Sequence, residues 1–179
     1  MTADSRFAWI VRTMAVRQAD RVLEIGPGSS DSFAYLAEQA VDGTIVGVER
    51  SATAIRRARV RYAAQLESGR VRLVHADLTD LDEGLLLRET GLGAGDFDSV
   101  LAVNVNLFWT KRPTAELTLI RRLLAPGGTL CLFYGYGAPD TANPTGPRPP
   151  LARLTEHLTG AGFSVRTISS GDLSGLICT

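Results

Sequence analysis

The chain has 179 residues, the usual length of one domain with a full hydrophobic core. Its 19 basic residues balance its 19 acidic residues, so no overall field attracts nucleic acid or an anionic membrane. No apolar run approaches the ~20 residues of a membrane span, and the N-terminus lacks the apolar segment of a signal peptide. These properties predict a soluble, cytoplasmic protein.

The two cysteines, Cys131 and Cys178, both lie in apolar, strand-like runs. Their spacing is not that of a metal site, so we expect no bound metal and two buried thiols in a reducing compartment. A disulfide between adjacent strands is the alternative.

Strand-like apolar runs alternate with stretches of helical periodicity along the chain. The predicted strands cover residues 22–25, 44–49, 71–75, 97–103 and 129–134. The predicted helices cover residues 4–19, 31–41, 51–66, 81–90, 113–124 and 151–161. The chain closes with a predicted hairpin of two strands, residues 163–168 and 173–178.

Three segments of the chain have more than one interpretation. The helix over residues 4–19 either packs on the flank of the sheet or forms a lid over a ligand. Residues 135–150 are rich in glycine and proline, which predicts a mobile loop near the site. One helix carries four arginines opposite its apolar stripe, which we interpret as a solvated face and not as a nucleic-acid contact: Arg56, Arg57, Arg59 and Arg61.

Alternation of strand and helix predicts a doubly wound α/β fold, with a parallel sheet and helices on both faces. In such sheets, ligands bind beyond the carboxyl ends of the strands, where the strand order reverses. The sequence places its most suggestive polar residues at those ends.

The first strand runs into the turn Gly26-Pro27-Gly28, where a ligand can approach the backbone closely. Glu49 ends the second strand, about 20 residues further on, where a carboxylate can accept both hydroxyls of a ribose. Asp77 follows the third strand and can accept from the exocyclic amine of a purine. Taken singly, Glu49 could instead pair with Arg50 or a helix terminus, and Asp77 could be a helix cap.

Asp31 stands where a dinucleotide-binding fingerprint would have its third glycine. Its charge would repel a pyrophosphate, but it suits a ligand with a cationic end. An adenosine that carries an amino acid, whose ammonium needs carboxylates and carbonyls, fits this pattern.

These residues resemble the motifs of class I S-adenosylmethionine-dependent methyltransferases. Residues 22–28 resemble the first motif, Glu49 the ribose-binding acid, and residues 75–78 the adenine-binding segment. Residues 97–109 resemble the fourth motif, and residues 124–130 the helix and turn that follow it. The resemblance extends through the closing hairpin, and within the class it is greatest to small bacterial enzymes similar to the quinone-biosynthesis methyltransferases.

The resemblance implies a single domain, residues 1–179, with a Rossmann-like, mostly parallel sheet of seven strands. It also implies the strand order 3-2-1-4-5-7-6, with an antiparallel last strand. The cofactor implied is S-adenosyl-L-methionine. The residues expected to bind it are Glu24, Gly26, Pro27, Gly28, Asp31, Glu49, Arg50, Asp77, Leu78 and Asn104.

The sequence departs from the family pattern at two places, and the second of them bears on the substrate. Ser30 replaces a further glycine of the first motif, and residues 104–107 lack the D/N-P-P-Y signature of enzymes that methylate amines of nucleic acids and proteins. We therefore expect a small-molecule substrate and no nucleic-acid partner, with the acceptor atom undetermined. The expected substrate wall consists of Asn106, Trp109, Tyr134 and Tyr136.

No catalytic residue is identified, because His75 and His157 have structural or surface interpretations. Two other functions remain open. One is a cofactor-binding protein or complex subunit without its own transferase activity. The other is a nicotinamide-dependent reductase, which the missing third glycine and the lack of a Tyr-x-x-x-Lys pair disfavour. The chain is expected to be a monomer or a homodimer.

Overall fold

A computed structural model describes residues 5–141 and 148–179. Its strands are β1 (Arg21–Ile25), β2 (Thr44–Glu49), β3 (Val71–His75), β4 (Phe97–Val103), β5 (Leu124–Tyr134), β6 (Val165–Ser170) and β7 (Leu173–Cys178). Its helices are α1 (Ser5–Met14), α2 (Ser32–Gln39), α3 (Ala52–Arg61), α4 (Ala63–Glu67), α5 (Glu83–Thr90), α6 (Leu107–Thr110), α7 (Thr114–Leu123) and α8 (Leu151–Gly160). A 3-10 turn, Leu78–Asp80, follows β3.

The strands form one seven-stranded sheet in the order β3-β2-β1-β4-β5-β7-β6. Strands β1 to β5 are parallel, and β7 pairs antiparallel with both β5 and β6. This confirms the predicted fold and strand order. The order reverses between β1 and β4, so the carboxyl ends of these two strands border the crevice where such sheets bind ligands.

Two apolar layers cover the two faces of the sheet. Helices α5 to α8 pack on one face, and α1, α2 and Tyr62 pack on the other. Successive residues of β1 alternate between them: Val22 belongs to the second layer and Leu23 to the first. After the exposed Arg21, residues 22–25 of β1 are buried, and they form a short apolar run that only Glu24 interrupts.

The first helix is shorter than predicted. Helix α1 ends at Met14, because Ala15 takes a left-handed conformation with φ of 54°. Its buried residues, Phe7 among them, pack on the sheet, while its first turn borders a cavity described below. The helix therefore packs on the sheet, and its function as a lid stays a prediction; residues 1–4 lie outside the described part of the chain.

The single helix predicted after Ser51 is two helices. Tyr62 has a non-helical conformation and separates α3 from α4. Its ring packs against Phe33, with centroids 5.5 Å apart, and its hydroxyl donates to the Ser30 carbonyl at 3.4 Å. These tertiary contacts hold Tyr62 at the break, where an apolar pattern alone predicts a continuous helix.

Strand β5 begins earlier than predicted. Leu124, which we assigned to a helix, already pairs with Phe97 of β4. The register shifts between Phe97 and Ser99, so residues 125–128 form an irregular first part of the strand and not only a stop to α7. Sequence reasoning also missed the short helix α6 after β4.

The predicted mobile loop, residues 135–150, is only partly described, because residues 142–147 lie outside the described part. The described portions contact the turn between β6 and β7: the Asp140 amide donates to Ser170 Oγ at 3.0 Å, and Arg148 pairs with Asp172 at 2.9 Å. Across residues 5–141 and 148–179, no helix is long and apolar enough to cross a bilayer.

Candidate functional site

Two cavities lie side by side at the carboxyl ends of the central strands. The first, here named the β2 lobe, has a volume of about 450 Å³ and is bordered by Glu49, Asp77 and Leu78. The second, named the β1 lobe, has a volume of about 530 Å³ and is bordered by Glu24, residues 27–31 and Tyr136. Gly26 and Asn104 line both, so the two lobes meet at the point where the strand order reverses.

A larger cleft of about 790 Å³ lies between α7 and α8. Its charged residues include Arg112, Arg153 and Glu156, and all three are exposed or half-exposed. None of the predicted site residues borders it. Position at the strand ends, and not size, therefore identifies the two smaller lobes as the candidate site.

The glycine turn provides space between the lobes. Gly26 and Gly28 have φ of 67° and 60°, in the left-handed region that favours glycine. A Cβ at Gly26 would approach Val105 Cγ2 to 3.2 Å. The Gly26 amide donates to the Val48 carbonyl at 2.8 Å, and the Gly28 amide donates to Glu49 at 2.9 Å. Both amides therefore donate to acceptors within the protein. What the turn offers a ligand is space, and not these two N–H groups.

Glu49 is buried at the end of β2 and connects two turns. Its Oε2 accepts from the Gly28 amide at 2.9 Å, and its Oε1 accepts from the Ser51 amide at 2.7 Å. Because a carboxylate has about four acceptor positions, two remain for ligand hydroxyls. Backbone amides, and not the Arg50 side chain that the sequence offered as an alternative, thus hold Glu49 in place.

Asp77 is both a cap and a lining residue. Its Oδ1 accepts from the amide and the hydroxyl of Thr79, each at 3.0 Å, and so begins the 3-10 turn. The hydrogen bond that the Thr79 backbone N–H donates is the main reason that the pKa of Asp77 is lowered. Its Oδ2 lies 3.6 Å from Arg50. An ionised acceptor therefore faces the β2 lobe.

Glu24 is the most unusual residue of the site. It is 1% exposed, its Oε2 has no hydrogen-bond partner, and it borders the β1 lobe. Burial raises the pKa of Glu24 to about 8, against the lowering effect of the Ser32 hydroxyl and with a further increase from Glu49. Such an isolated buried acid costs stability unless a ligand provides a donor or a positive charge.

Asp31 is not free to act alone as the predicted cation binder. It borders the β1 lobe, but its Oδ1 forms an ion pair with Arg61 of α3. The structure places this acid at the β1 lobe, and its role as a cation binder stays a prediction. The sequence pattern could not show the arginine, which lies 30 positions away and meets Asp31 only through the packing of α3.

Asn104 ties the ends of β4 and β5 together. Its Oδ1 accepts from the Gly135 amide at 2.9 Å, and its Nδ2 donates to the Gly135 carbonyl at 3.1 Å. The residue has φ of 57°, which asparagine tolerates better than most side chains. Its side chain is thus a brace for the floor shared by the two lobes.

The structure separates the four residues of the expected substrate wall. Tyr136, 55% exposed, borders the β1 lobe, whereas Asn106 borders the β2 lobe. Tyr134 does not reach either lobe: it is buried in the core, and its hydroxyl donates to the Val105 carbonyl at 3.0 Å. Trp109 packs against the same core and borders neither lobe. Tyr134 lies on the side of its strand that faces the core, and Trp109 lies on the side of its helix that does so. An apolar sequence pattern alone does not distinguish a side that faces the core from one that faces a cavity.

Sequence reasoning missed residues that reach the site from distant elements. Arg6 and Phe7 of α1 border the β1 lobe, and Arg6 donates to the Gly135 carbonyl at 3.3 Å. Lys111 and Thr79 border the β2 lobe. A helix leading into β1 was the only available signal for Arg6 and Phe7, and for Lys111 there was none.

Together the lobes offer the groups that an adenosine with an amino-acid tail would need. Glu49 and Asp77 present acceptors in the β2 lobe, where a ribose and an exocyclic amine would lie. The orphaned Glu24 oxygen and the open glycine turn lie in the β1 lobe, where an ammonium would be stabilised. Among the described residues, no group of three or more His, Cys, Asp or Glu could hold a metal ion. Fold and site thus define an α/β protein with a ligand cavity, lined by acids, at the carboxyl ends of its central strands.

Comparison with known proteins identifies the family. Residues 22–128 match the family described as Methyltransferase domain, which is more than half of the chain, and the chain belongs to that family. It is an S-adenosylmethionine-dependent methyltransferase, and S-adenosyl-L-methionine is its cofactor. A search among curated protein sequences found no significant match.

Solved structures share the fold at low sequence identity. A S-adenosylmethionine-dependent methyltransferase from Aquifex aeolicus aligns with a TM-score of 0.73 at 14% identity, over 96% of this chain and 88% of that chain. Phosphoethanolamine N-methyltransferase 2 from Haemonchus contortus, in complex with S-adenosyl-L-methionine, aligns with a TM-score of 0.68 at 20% identity, over 91% and 38%. The cyclase SpnF aligns with a TM-score of 0.69 at 20% identity, over 93% and 61%.

Proposed function

We propose that this methyltransferase acts on a small metabolite that enters through the β1 lobe. The observation that carries the proposal is the meeting of the two lobes at Gly26 and Asn104. One lobe has the acceptors for an adenosine, and the other has space beside Tyr136 and Phe7 for an acceptor molecule. The neutral overall charge of the chain further favours a small substrate over RNA.

The cofactor assignments follow the chemistry of each lobe. Glu49 would hold the ribose hydroxyls, Asp77 the exocyclic amine, and Leu78 the adenine ring, with Arg50 keeping Asp77 in place. In the β1 lobe, Glu24 and Asp31 would face the ammonium of the tail. Arg6, the cation that borders this lobe, would face its carboxylate. The turn of residues 26–28 would give the tail its space.

The bound cofactor supplies an electrophilic methyl group. The residues of the chain position the acceptor beside it and exclude water, which are the main protein contributions to such a displacement. Four acids line the lobes in the described part of the chain, and all of them are assigned to the cofactor, so none is proposed as a base for the acceptor: Glu24, Asp31, Glu49 and Asp77. Neither histidine borders these two lobes: His75 contacts the Arg50 carbonyl at 3.0 Å, and His157 contacts the Phe108 carbonyl at 3.0 Å. We therefore infer an acceptor that needs no deprotonation by the chain, such as a thiolate, a phenolate or a neutral amine.

Calorimetric titration with S-adenosylhomocysteine tests the cofactor site. We expect Glu49→Gln to weaken binding by about 1–3 kcal/mol, because one buried acceptor is replaced by a donor. Glu89→Gln on the exposed side of α5 is the matched control and should bind as the wild type does. Since Glu49 also braces two turns, the melting temperature of the variant is measured in parallel, and Asp77→Asn provides a second variant. Absence of binding of both S-adenosylmethionine and its product to the wild type would refute the cofactor assignments.

Transfer of a labelled methyl group to a panel of thiols, phenols, amines and quinone precursors then tests the substrate proposal. The panel includes quinone precursors because of the resemblance of the sequence to quinone-biosynthesis enzymes. Turnover of nucleic acid in preference to every small molecule would contradict the proposal.

A second candidate is a subunit of a methylating complex that binds the cofactor but has no transferase activity on its own. The assignment of all four lining acids to the cofactor favours it, and the cyclase SpnF demonstrates that the fold is not restricted to proteins named as methyltransferases. Tight product binding without turnover of any panel member would support this second function. The nicotinamide-dependent reductase is not retained, because the chain belongs to the methyltransferase family.

A further inference from the structure

The outward face of α3 concentrates positive charge in a chain that has no net charge. Five arginines and no acidic residue occur between positions 50 and 66. Four of them are exposed residues of α3 itself: Arg56, Arg57, Arg59 and Arg61.

These arginines are only partly neutralised. Arg56 donates to Thr53 Oγ1 at 3.0 Å, and Arg61 pairs with Asp31. Within residues 5–141 and 148–179, Arg57 and Arg59 have no hydrogen bond or ion pair from their side chains. Like charges three or four positions apart, such as Arg57 and Arg61, destabilise a helix, although the last-turn arginines gain from the helix dipole. The charge of this face therefore exceeds what the fold itself uses.

An exposed apolar side chain lies at the centre of this charged face. Val60 is 82% exposed and forms, with Thr53, Arg56, Arg57 and Arg61, a shallow surface depression. An apolar side chain surrounded by guanidinium groups is a typical arrangement for a protein interface, where arginine and apolar anchors are combined.

Both ends of α3 are attached to the candidate site. At its N-terminus, the Ser51 amide donates to Glu49 in the β2 lobe. At its C-terminus, Arg61 pairs with Asp31 in the β1 lobe. A partner seated on α3 would consequently lie next to the mouth of the cofactor site.

We propose that the face formed by Thr53, Arg56, Arg57, Arg59, Val60 and Arg61, named the α3 face, docks an acidic partner protein. The occupant is a segment that presents carboxylates around an apolar side chain, complementary in charge and shape to the guanidinium groups around Val60. A phosphate backbone would use the arginines but gain nothing from Val60. A membrane surface would need a broader apolar face than a single valine.

The probe is a synthetic, labelled helical peptide of glutamate and alanine with one central leucine, whose binding is measured by fluorescence anisotropy. We expect salt-dependent binding that the double variant Arg57→Glu/Arg59→Glu weakens by about tenfold or more. Val60→Ser should weaken it several-fold. A second peptide with serine in place of leucine should bind the wild type several-fold more weakly and should not distinguish the wild type from Val60→Ser.

Helix α5 supplies a matched control, because it exposes Leu87 next to Arg88 without an arginine cluster. Leu87→Ser and Arg88→Glu should leave peptide binding unchanged. Arg61 is not substituted, since it contacts Asp31. Circular dichroism and S-adenosylhomocysteine binding in the α3 variants verify that the fold and the cofactor site are intact, so this test stands apart from that of the proposed function.

Two results would overturn the proposal. If Val60→Ser binds the leucine peptide as the wild type does, the apolar anchor has no role. If an oligouridine RNA binds more tightly than the peptide and is lost in the arginine variant, the α3 face is a nucleic-acid surface instead.

Discussion

Glu24 shows how a single residue can connect stability to ligand binding. It occupies a β1 position whose neighbours are apolar, and its Oε2 has no partner. Burial raises the pKa of this carboxyl group, so it keeps its proton at pH values where an exposed glutamate has lost it. A residue that is costly to the empty protein, and that borders the cofactor lobe, is a typical mark of a functional position.

Glu24 makes stability depend on pH in a defined direction. Burial raises its pKa from 4.5 to about 8, so the folded protein retains a proton that the unfolded chain releases within this range. The stability that comes from this extra bound proton is fully present below pH 4.5. It decreases as the pH rises, by at most about 1.4 kcal/mol per pH unit, and is lost once the pH passes about 8. The side chain in Glu24→Gln is neutral at every pH, so the free energy of unfolding of this variant should depend less on pH. Urea unfolding at several pH values measures it, and parallel curves for the two proteins would contradict the prediction.

At the scale of the element, Gly47 of β2 determines how closely α2 approaches the sheet. A Cβ at this position would lie 2.2 Å from Cζ of Phe33, well inside the van der Waals contact distance of two carbon atoms. Phe33 is buried beside Tyr62, the residue that separates α3 from α4. One small residue in a central strand thus positions the helix that follows the glycine turn.

Gly47→Ala should therefore destabilise the protein by about 1–3 kcal/mol, as overpacking of a core does. Gly160 in α8 offers the contrasting case, because a Cβ there meets nothing within 4 Å. Gly160→Ala should be neutral or stabilising by up to about 1 kcal/mol, since alanine favours the helix and restricts the unfolded chain. Denaturant midpoints of the two variants test the pair. Equal effects would mean that the contact with Phe33 does not determine the cost.

At the scale of the whole molecule, the sheet divides two apolar layers. Cys131 of β5 belongs to the layer of α1 and α2, and Cys178 of β7 belongs to the layer of α5 to α8. Leu130, not Cys131, is paired with Cys178, so the two thiols point to opposite faces. Both are free and buried, which excludes the disulfide that the sequence left open.

The two thiols should report global unfolding. Burial raises the pKa of Cys131 to about 11 and that of Cys178 to about 12, so neither forms an appreciable thiolate near neutral pH. Alkylation of the native protein should be very slow, and both thiols should become reactive at the same urea concentration as the loss of helical signal. Rapid labelling of one thiol in native buffer would instead indicate that β5 and β7 separate locally.

The sequence alone determined the alternation of strands and helices and therefore the α/β class, because strand and helix periodicity are local properties, and the resemblance to the methyltransferase family supplied the strand order. The sequence also located Glu49, Asp77 and the glycine turn, since the carboxyl ends of parallel strands meet at one edge. Tertiary structure decided the rest. Arg61 reaches Asp31, α1 brings Arg6 to the β1 lobe, and Tyr134 turns into the core, and each depends on packing between residues far apart in the chain.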